Sequence, residues 1–446
     1  MFKRILIANR GEIALRIIRA CRELNIECVS VYSTADKDSI HRKMADKSIC
    51  IGPPQPIKSY LNIDNLITAA QITNCDAVHP GYGFLAENDQ FVNICNDNDI
   101  EFIGPPAEAI VLAGNKSKAI EVMNKNKIPV IPGSNGNIKD LRSASKLCQR
   151  LGYPVIIKAA FGGGGKGMRI CRNKKDLFEF YPLAKSESEK AFGVGEVYIE
   201  KYISKPRHIE FQIIADNFGR TICVGERECS IQRRHQKLIE EAPAVNLSPK
   251  LLRLMREYAL RAARAIDYKN LGTIEFLLDE NNNFYFIEIN TRIQVEHPIT
   301  EAVTGMDLIR EQIRIASGER VDNHNEHYSP RGHAIEFRIN AEDPQNDFAP
   351  SPGKITGSFL PGGPGVRVDT FIGTNSKISP FYDSLIAKLI IWDNDRKNAI
   401  ARSARALEEF KIEGIRTTIP FHKRILNNKK FINGQIHTHF IEEEFK

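Results

Sequence analysis

The chain has 446 residues, of which 42% are hydrophobic and 26% charged, a composition typical of a soluble globular protein with several domains. No apolar run approaches the ~20 residues of a membrane-spanning helix, and the early stretch ILIA is shorter than the about 7–15 apolar residues of a signal peptide. The net charge of +7 comes without a long Lys/Arg block or an RNP-type motif, so it favours small anionic substrates over nucleic acid. The nine cysteines form no CxxC pair, which favours a reducing compartment and argues against zinc.

The N-terminal segment predicts a βαβ unit. KRILIAN and ECVSVYS have the apolar character of buried strands, and the segment between them has apolar residues at helical spacing after Gly11. The turn lacks a GxGxxG motif, so no dinucleotide site is predicted there. A later strand ends in the loop HPGYGFLAEN, at the kind of position where α/β sheets bind ligands, although a plain turn explains the loop nearly as well.

Four consecutive glycines, Gly162–Gly165, follow the strand-like segment YPVIIK. Glycine loses more backbone freedom on folding than any other residue, so a run of four is costly to order. A flexible linker explains the run, and so does a loop that wraps its backbone N–H groups around an anion. The stretch alone supports both interpretations about equally.

The segment CSIQRRHQKLIEEAP concentrates polar and basic side chains: Gln232, Arg233, Arg234, His235 and Lys237. A solvated surface cluster is the ordinary interpretation. The cluster gains functional weight only if acidic groups elsewhere work with it on a phosphorylated substrate. Lys116 and Lys158 are isolated lysines, and each fits phosphate binding or plain solvent exposure.

A hairpin is predicted where TIEFLL and FYFIEIN flank the turn-rich DENNN. If the hairpin is symmetric about Asn281 and Asn282, then Glu275 faces Glu288. Opposed residues have Cβ atoms ~4.5–5.5 Å apart, and like charges at that distance are destabilising. A hard divalent cation such as Mg²⁺ between the two carboxylates would account for the pair.

Polar and apolar residues alternate beyond this hairpin, which predicts a continued strand with one polar face. The polar face carries Glu288, Asn290, Arg292, Gln294 and Glu296. A solvated strand face is the usual meaning of such alternation. The order of acid, amide, Arg, amide and acid instead favours an active-site strand, with metal ligands at one end and an Arg–carboxylate pair at the other.

Six motifs between Ile5 and Ile390 carry a family resemblance: ILIANRGEIALRIIRA, HPGYGFLAEN, KAAFGGGGKGM, ERECSIQRRHQKLIEEAP, EINTRIQVEHPITE and YDSLIAKLI. With them the chain resembles the biotin carboxylases of the ATP-grasp superfamily. The resemblance implies a fold of the α/β and α+β classes with three domains. These are a Rossmann-like domain over 1–113, an ATP-grasp region over 114–330 with a mobile glycine-rich lid at 130–203, and an antiparallel-sheet domain over 331–446.

The resemblance also implies a role for each matching residue. Nucleotide contacts are expected at Lys116, Lys158, Glu200, Lys201, Ile203, His208 and His235, with Gly164 and Gly165 in the lid over the phosphates. Ligands of Mg²⁺ or Mn²⁺ are expected at Glu275, Glu288 and Asn290, and bicarbonate contacts at Lys237, Arg292, Gln294 and the backbone of Val295. Glu296 is the expected general base, Arg338 the group that stabilises the ureido oxyanion of biotin, and Tyr82 part of the biotin pocket. Phe161 departs from relatives that have another glycine there.

The implied reaction is ATP-dependent carboxylation of biotin by bicarbonate through carboxyphosphate, with the lid excluding water. Because the chain has no MKM biotin-attachment triplet, a separate biotin carboxyl carrier protein is expected as a partner, together with carboxyltransferase subunits. An acetyl-CoA carboxylase is the first expectation and a pyruvate or propionyl-CoA enzyme the alternative. Another ATP-grasp carboxylate–amine ligase is a second alternative, and a nucleic-acid-binding module a remote third.

The resemblance implies a homodimer as well, with an interface at Arg19, Glu23 and Arg367. The expected location is the cytoplasm or a plastid stroma, without membrane attachment.

Overall fold

The computed structural model describes residues 1–134, 136–159, 168–193, 195–321 and 329–445. Gly164, Gly165 and Phe161 therefore lie outside the described residues, and so does the rest of the glycine run. Within the described part no helix is both long enough and apolar enough to cross a bilayer. All nine cysteines are free thiols, and Cys50 is exposed while the others are buried.

The N-terminal sheet has five parallel strands in the order β3-β2-β1-β4-β5. This confirms the predicted βαβ start and the Rossmann-like arrangement. Isoleucines at helical spacing on α1 pack against the sheet, and burying each one contributes about 1.5–3 kcal/mol. The elements of this region are β1 Arg4–Ile7, α1 Gly11–Glu23, β2 Glu27–Tyr32, α2 Ile40–Met44, β3 Lys47–Cys50, α3 Ile63–Ile72, β4 Ala77–His79, α4 Asp89–Asp97, β5 Glu101–Phe102 and α5 Ala107–Gly114.

A small antiparallel sheet in the order β7-β6-β8 follows, and helices α7 and α8 cover it with a core of their own. The glycine run lies between β6 and β7 in the chain. The elements here are α6 Lys116–Lys125, α7 Leu141–Leu151, β6 Val155–Ala159, β7 Arg169–Cys171, α8 Lys174–Phe192 and β8 Val197–Lys201.

An eight-stranded antiparallel sheet forms the centre, in the order β13-β12-β9-β10-β11-β14-β21-β19. Its first strands come from the predicted ATP-grasp region and the others from the predicted C-terminal region. The elements up to β14 are β9 Arg207–Ala215, β10 Thr221–Arg233, β11 Gln236–Ala242, α9 Pro249–Ala265, β12 Asn270–Leu278, β13 Phe284–Asn290, α10 His297–Thr304, α11 Leu308–Ala316 and β14 His333–Asn340.

The C-terminal part adds β21 and β19 to the central sheet, and α12 and α13 pack behind them on an apolar core. The predicted mixture of parallel α/β and antiparallel α+β structure is thus confirmed. The remaining elements are β15 Glu342–Asp343, β16 Ala349–Pro350, β17 Gly353–Lys354, β18 Gly357–Phe359, β19 Val366–Thr370, β20 Lys377–Ile378, β21 Leu385–Asp393, α12 Arg396–Glu409, β22 Lys411–Glu413, α13 Ile419–Leu426, α14 Lys429–Ile432 and α15 Phe440–Glu444.

One apolar cluster joins the N-terminal sheet to the central sheet. It contains residues of β1 and α1 together with Ile214, Leu271 and Leu308 from β9, β12 and α11. The loops at the carboxyl ends of β1 and β4 line one cavity with polar side chains of the central sheet. This contact positions the functional site.

Candidate active site

A cavity of about 740 Å³ lies where the N-terminal loops meet the central sheet. It collects residues from segments far apart in the chain: the loop after β4, the strands β9 and β12 to β14, and the segment from β10 to β11. The predicted site residues that line it are Tyr82, His208, His235, Lys237, Glu275, Glu288, Asn290, Arg292, Gln294, Val295, Glu296 and Arg338.

The acidic pair of the hairpin is opposed as predicted: Glu275 pairs with Glu288 across β12 and β13. Each carboxylate has a basic side chain close to it. The Nζ of Lys116 lies 2.7 Å from Glu288 Oε2, and His208 Nε2 lies 2.9 Å from Glu275 Oε2. Burial would raise the pKa of Glu275, but Lys237 and His208 hold that pKa well below its ordinary value. The hairpin therefore concentrates negative charge that the surrounding cations balance.

The predicted continuation of the strand to Glu296 is wrong. Strand β13 ends at Asn290, residues 291–296 form a turn, and α10 begins at His297. A proline at the second position of α10 suits a helix start, since its missing N–H would have no partner there. The polar residues still reach the cavity because the turn is held by contacts from other elements.

Arg292 illustrates this, and it corrects the predicted Arg–carboxylate pair. Its Nε donates to Glu87 Oε2 at 2.9 Å, and its Nη2 donates to Asn290 Oδ1 at 3.1 Å. The Asn290 amide in turn donates to Glu275 Oε1 at 2.8 Å. Arg292 thus pairs with Glu87, from the loop before α4, and not with Glu296.

Lys237 on β11 lies among three carboxylates. Its Nζ is 2.6 Å from Glu210, 3.1 Å from Glu275 and 2.5 Å from Glu296. Burial opposes its positive charge, yet the three carboxylates raise its pKa well above the ordinary value. The lysine therefore stays an ammonium that can donate to an anion in the cavity.

Glu296 links Lys237 to Arg338. Its Oε2 accepts from Arg338 Nη2 at 2.9 Å, while Arg338 Nε donates to Glu240 Oε1 at 2.6 Å. Burial raises the pKa of Glu296, but the nearby lysine and arginines outweigh this effect and lower it strongly. Burial likewise opposes the charge on Arg338, while Glu240 and Glu296 raise its pKa further. Both groups are charged over the whole neutral range.

The orientation of the Gln294 amide is fixed from beneath by Arg227, which is fully buried. Arg227 Nη2 donates to Gln294 Oε1 at 2.8 Å, so the amide nitrogen points the other way and donates to Glu275 Oε1, also at 2.8 Å. The carbonyl of Val295 accepts from Lys388 Nζ at 2.9 Å. The turn before α10 is therefore pinned by two buried cations.

The other predicted nucleotide residues lie in or beside the small sheet. Lys158 on β6 and Glu200 on β8 form an ion pair of 2.6 Å. The Lys201 ammonium donates to the carbonyls of Gly152 and Tyr153, at 2.9 and 3.2 Å, so its side chain is engaged within the small sheet and its connecting loop. Ile203, just after β8, is half-buried. Their nucleotide roles stay predictions, and so do those of Gly164 and Gly165.

Several residues of the site were not singled out from the sequence: Glu12, Glu87, Glu210, Arg227, Glu240 and Lys388. Lys388 is fully buried and lies 3.1 Å from Glu12, which also accepts from the Tyr82 hydroxyl. A lysine inside the apolar strand LIAKLII and a glutamate on an otherwise apolar helix face are sequence signals that could have found two of them. The remaining four residues lie in segments where charged residues are common, so no sequence pattern indicates them.

Comparison with known families covers the chain in three parts. Residues 1–110 match "Biotin carboxylase, N-terminal domain", residues 115–324 match "Carbamoyl-phosphate synthase L chain, ATP binding domain", and residues 336–443 match "Biotin carboxylase C-terminal domain". The ATP-binding domain contributes the opposed carboxylates Glu275 and Glu288, together with Lys237, to one cavity. Flanked by the two biotin carboxylase domains, it places the chain among the ATP-dependent ligases.

Individual relatives narrow this class. The chain is 54% identical over 442 residues to a biotin carboxylase of Nostoc sp., with 99% of each chain covered. Its structure is similar to a biotin carboxylase from Campylobacter jejuni in complex with β,γ-ATP, with a TM-score of 0.97, 50% identity and coverage of 100% and 99%. It is also similar to the dimeric biotin carboxylase domain of Hydrogenobacter thermophilus 2-oxoglutarate carboxylase, crystallised with MgADP, ADP and bicarbonate, with a TM-score of 0.95, 47% identity and coverage of 99% and 98%.

The chain belongs to the biotin carboxylase family and is an ATP-dependent enzyme that carboxylates biotin. The resemblance stated from the motifs is thereby confirmed.

Proposed function

We propose that this enzyme carboxylates biotin attached to a separate carrier protein, as the first half-reaction of an acetyl-CoA carboxylase. The observation that supports the proposed site is a connected series of residues along one cavity. Glu288 binds Lys116 and pairs with Glu275 across the hairpin. Lys237 then joins Glu275 to Glu296, which binds Arg338. This series joins groups suited to a nucleotide and a metal at one end to groups suited to an anion at the other.

At the first end, Glu275, Glu288 and Asn290 would hold Mg²⁺ or Mn²⁺. Their oxygens suit a hard cation, and positive groups already lie against them: His208 and Lys237 beside Glu275, and Lys116 beside Glu288. When bound, the ion supplies charge neutralisation for the phosphates of ATP. The nucleotide beside it would be contacted by Lys116, Lys158, Glu200, Lys201, Ile203, His208 and His235. Gly164 and Gly165 would belong to the loop that closes over the phosphates.

In the middle, Lys237, Arg292, Gln294 and the backbone of Val295 would hold bicarbonate. An ammonium and a guanidinium are present there, and the Gln294 amide has the fixed orientation described above. Glu296 would take the bicarbonate proton as the anion attacks the γ-phosphate. When Lys237 turns one N–H from Glu296 to bicarbonate, the carboxylate loses a stabilising partner and becomes a stronger base.

At the far end, Arg338 would stabilise the ureido oxyanion of biotin, with Tyr82 lining the pocket. Carboxyphosphate releases CO₂ and phosphate, the phosphate removes the N1 proton of biotin, and the ureido anion attacks CO₂. Once Glu296 has accepted a proton it no longer holds Arg338 as an ion pair. Arg338 Nη2 is then free for the biotin oxygen while Glu240 still anchors its Nε.

The assembly and setting of the enzyme are further parts of the proposal. We infer a homodimer whose interface includes Arg19, Glu23 and Arg367, which line a second cavity of about 570 Å³. A biotin carboxyl carrier protein and carboxyltransferase subunits would complete the enzyme, in the cytoplasm or a plastid stroma. The domain limits 1–113, 114–330 with the lid at 130–203, and 331–446 belong to the same proposal. A pyruvate or propionyl-CoA carboxylase, or another ATP-grasp ligase, is the alternative setting.

The test compares Glu296→Ala with Arg338→Gln and measures phosphate release and carboxybiotin side by side. We expect Glu296→Ala to lose both activities. Arg338→Gln should lose carboxylation by about 10²–10³-fold, the usual effect of removing one oxyanion donor, and keep much of the slow biotin-independent ATP hydrolysis. Equal losses of the two activities in Arg338→Gln would contradict the division of roles. Glu280→Ala and Arg416→Gln, at exposed positions, are the matched controls.

A further inference from the structure

Two buried carboxyl groups lie directly behind Arg338. Glu240 on β11 and Glu336 on β14 are opposite each other in the central sheet, and both are fully buried. Side chains in such a pair have Cβ atoms ~4.5–5.5 Å apart. Glu336 is two residues from Arg338 on the same strand, so both point to the same face of the sheet as Glu240.

The hydrogen bonds of this pair are incomplete. Glu240 Oε1 accepts from Arg338 Nε at 2.6 Å, but Glu240 Oε2 and both oxygens of Glu336 have no hydrogen-bond partner among the described residues. Two ionised carboxylates with three such oxygens would be strongly unfavourable in a protein interior. One proton held between them would remove a charge and supply an O–H donor.

The charged groups around Glu240 and Glu336 do not remove the need for a proton between the two acids. Lys388 on β21 is opposite Arg338 in the sheet and lowers the pKa of Glu336 by its charge, but it donates its hydrogen bonds to Glu12 and to the Val295 carbonyl. Lys237 is bound by its own three carboxylates, and Glu296 adds negative charge near both acids. The Cys229 thiol, also nearby, is held neutral because burial raises its pKa. Among the residues that the structure describes, Arg338 is therefore the cation that bonds directly to the pair.

The pKa directions agree with a retained proton. Burial raises the pKa of Glu240 to about 7, although Arg338 acts to lower it. Burial also raises the pKa of Glu336 well above its ordinary value, and the nearby Glu240 adds to the effect.

We propose that Glu240 and Glu336 share one proton at neutral pH and act as a positioning pair that anchors Arg338 with a single negative charge. The inference rests on the proposed role of Arg338 at biotin. One negative charge holds the guanidinium in place without cancelling its field in the cavity. Loss of the shared proton would add a second charge behind Arg338 and weaken its stabilisation of the biotin anion.

The first experiment measures carboxybiotin formation against pH for the wild-type enzyme and Glu336→Gln, each normalised to its own rate at pH 7. Glutamine has the shape of the protonated acid and cannot ionise. We expect the wild-type rate to fall relative to that of the variant between pH 7 and pH 9, by about 10-fold if the second charge offsets a charge-assisted contact. Identical profiles would overturn the proposal.

The second variant, Glu240→Gln, separates positioning from folding. It keeps an oxygen for Arg338 Nε but removes the charge, so we expect carboxylation to fall by about 10-fold while bicarbonate-dependent ATP hydrolysis stays within about twofold. Equal losses of both would indicate a merely structural role. If either variant fails to fold, infrared spectroscopy of the wild-type enzyme still tests the pair, because absence of a buried protonated-carboxyl band at pH 7 would overturn it. A wild-type enzyme that makes no carboxybiotin would instead contradict the proposed function itself.

Discussion

Glu240 and Glu241 are consecutive residues of β11 and equally buried, yet they lie on opposite faces of the central sheet and in opposite electrostatic states. Glu241 accepts from His333 Nε2 at 2.8 Å and from Arg396 Nε and Nη2 at 2.6 and 2.9 Å. Glu240 accepts only from Arg338 among the described residues, with one oxygen left without a partner. The two faces differ in the number of donors and not in burial.

The pKa of each acid follows from that difference. Burial acts to raise both, but His333 and Arg396 lower the pKa of Glu241 to about 2, while that of Glu240 rises to about 7. Their effects on stability therefore have opposite signs. The contribution of Glu241 is present above its unfolded-state pKa and is lost as pH falls towards 2. The contribution of Glu240 is present at low pH and is lost as pH rises through 7. The carboxylate of Glu241, whose hydrogen bonds are complete, stabilises the fold. Glu240 has fewer donors, and its partner Arg338 is left available to a ligand.

The largest expected effect is a loss of activity, on the face of the central sheet that lines the cavity. Glu288→Lys places an ammonium beside Lys116, where the proposed metal must bind, and we expect complete loss of Mg²⁺-dependent turnover with little loss of stability. ATP hydrolysis and the thermal unfolding midpoint are the two measurements. The exposed residue Glu280 in the same hairpin gives the control Glu280→Lys. ATP hydrolysis at the wild-type rate in Glu288→Lys would mean that Glu275 and Glu288 belong to an ordinary solvated strand face and bind no metal.

On the opposite face of the sheet, which carries Glu241, we expect a loss of stability and no change in the balance of activities. Glu241→Gln leaves His333 and Arg396 without a charged partner, and we expect a loss of about 3 kcal/mol in the free energy of unfolding at pH 7. The ratio of carboxylation to ATP hydrolysis should not change.

Urea unfolding at several pH values checks this prediction. The difference between wild type and Glu241→Gln should be constant above about pH 5 and should shrink below about pH 4, where the carboxylate protonates in the unfolded chain. Glu408→Gln, which removes an exposed ion pair with Lys423, should have no measurable effect. A variant that changes the activity ratio without losing stability would reverse the assignment of the two faces.

The sequence predicted the opposed acids of the hairpin, but its reasoning about register was incomplete. Phe276 pairs with Phe286, so the turn is centred on Asn281, and an extra residue at Ile287 shifts the register by one so that Glu275 meets Glu288. The turn residues identified the hairpin. A bulge depends on tertiary packing, and no local pattern indicated it.

The sequence also identified the polar residues after Asn290, although the predicted strand does not continue beyond that residue. Alternation found the right side chains, but Glu87, Arg227 and Lys388 orient them, from positions up to 205 residues away in the chain. The pairing of Glu240 with Glu336 joins strands separated by 96 positions, in segments where a glutamate is unremarkable. Family motifs indicate which residues matter, while the partners that set their charge appear only once the sheet is assembled.

The smallest expected effect concerns the basic cluster before β11, where the sequence left surface and site interpretations open. Arg233 and Arg234 bind the same carboxylate, Asp347, but their side chains are 16% and 66% exposed. Arg233 also stacks on Phe348, with its guanidinium carbon 4.3 Å from the ring centroid. The two arginines form a matched pair in which burial differs and the partner does not.

We expect Arg234→Ala to move the thermal unfolding midpoint by less than about 1 °C, because an exposed ion pair is screened by solvent and contributes little. Arg233→Ala should lower the midpoint by several times as much, since it also removes a packed cation–π contact. Neither arginine lines the cavity, so both variants should keep carboxylation within about twofold of wild type. Differential scanning calorimetry at low and high salt separates the two contributions, because only the ion-pair part should fade with salt. Equal midpoint shifts would mean that the shared carboxylate, and not burial, decides what these charges contribute.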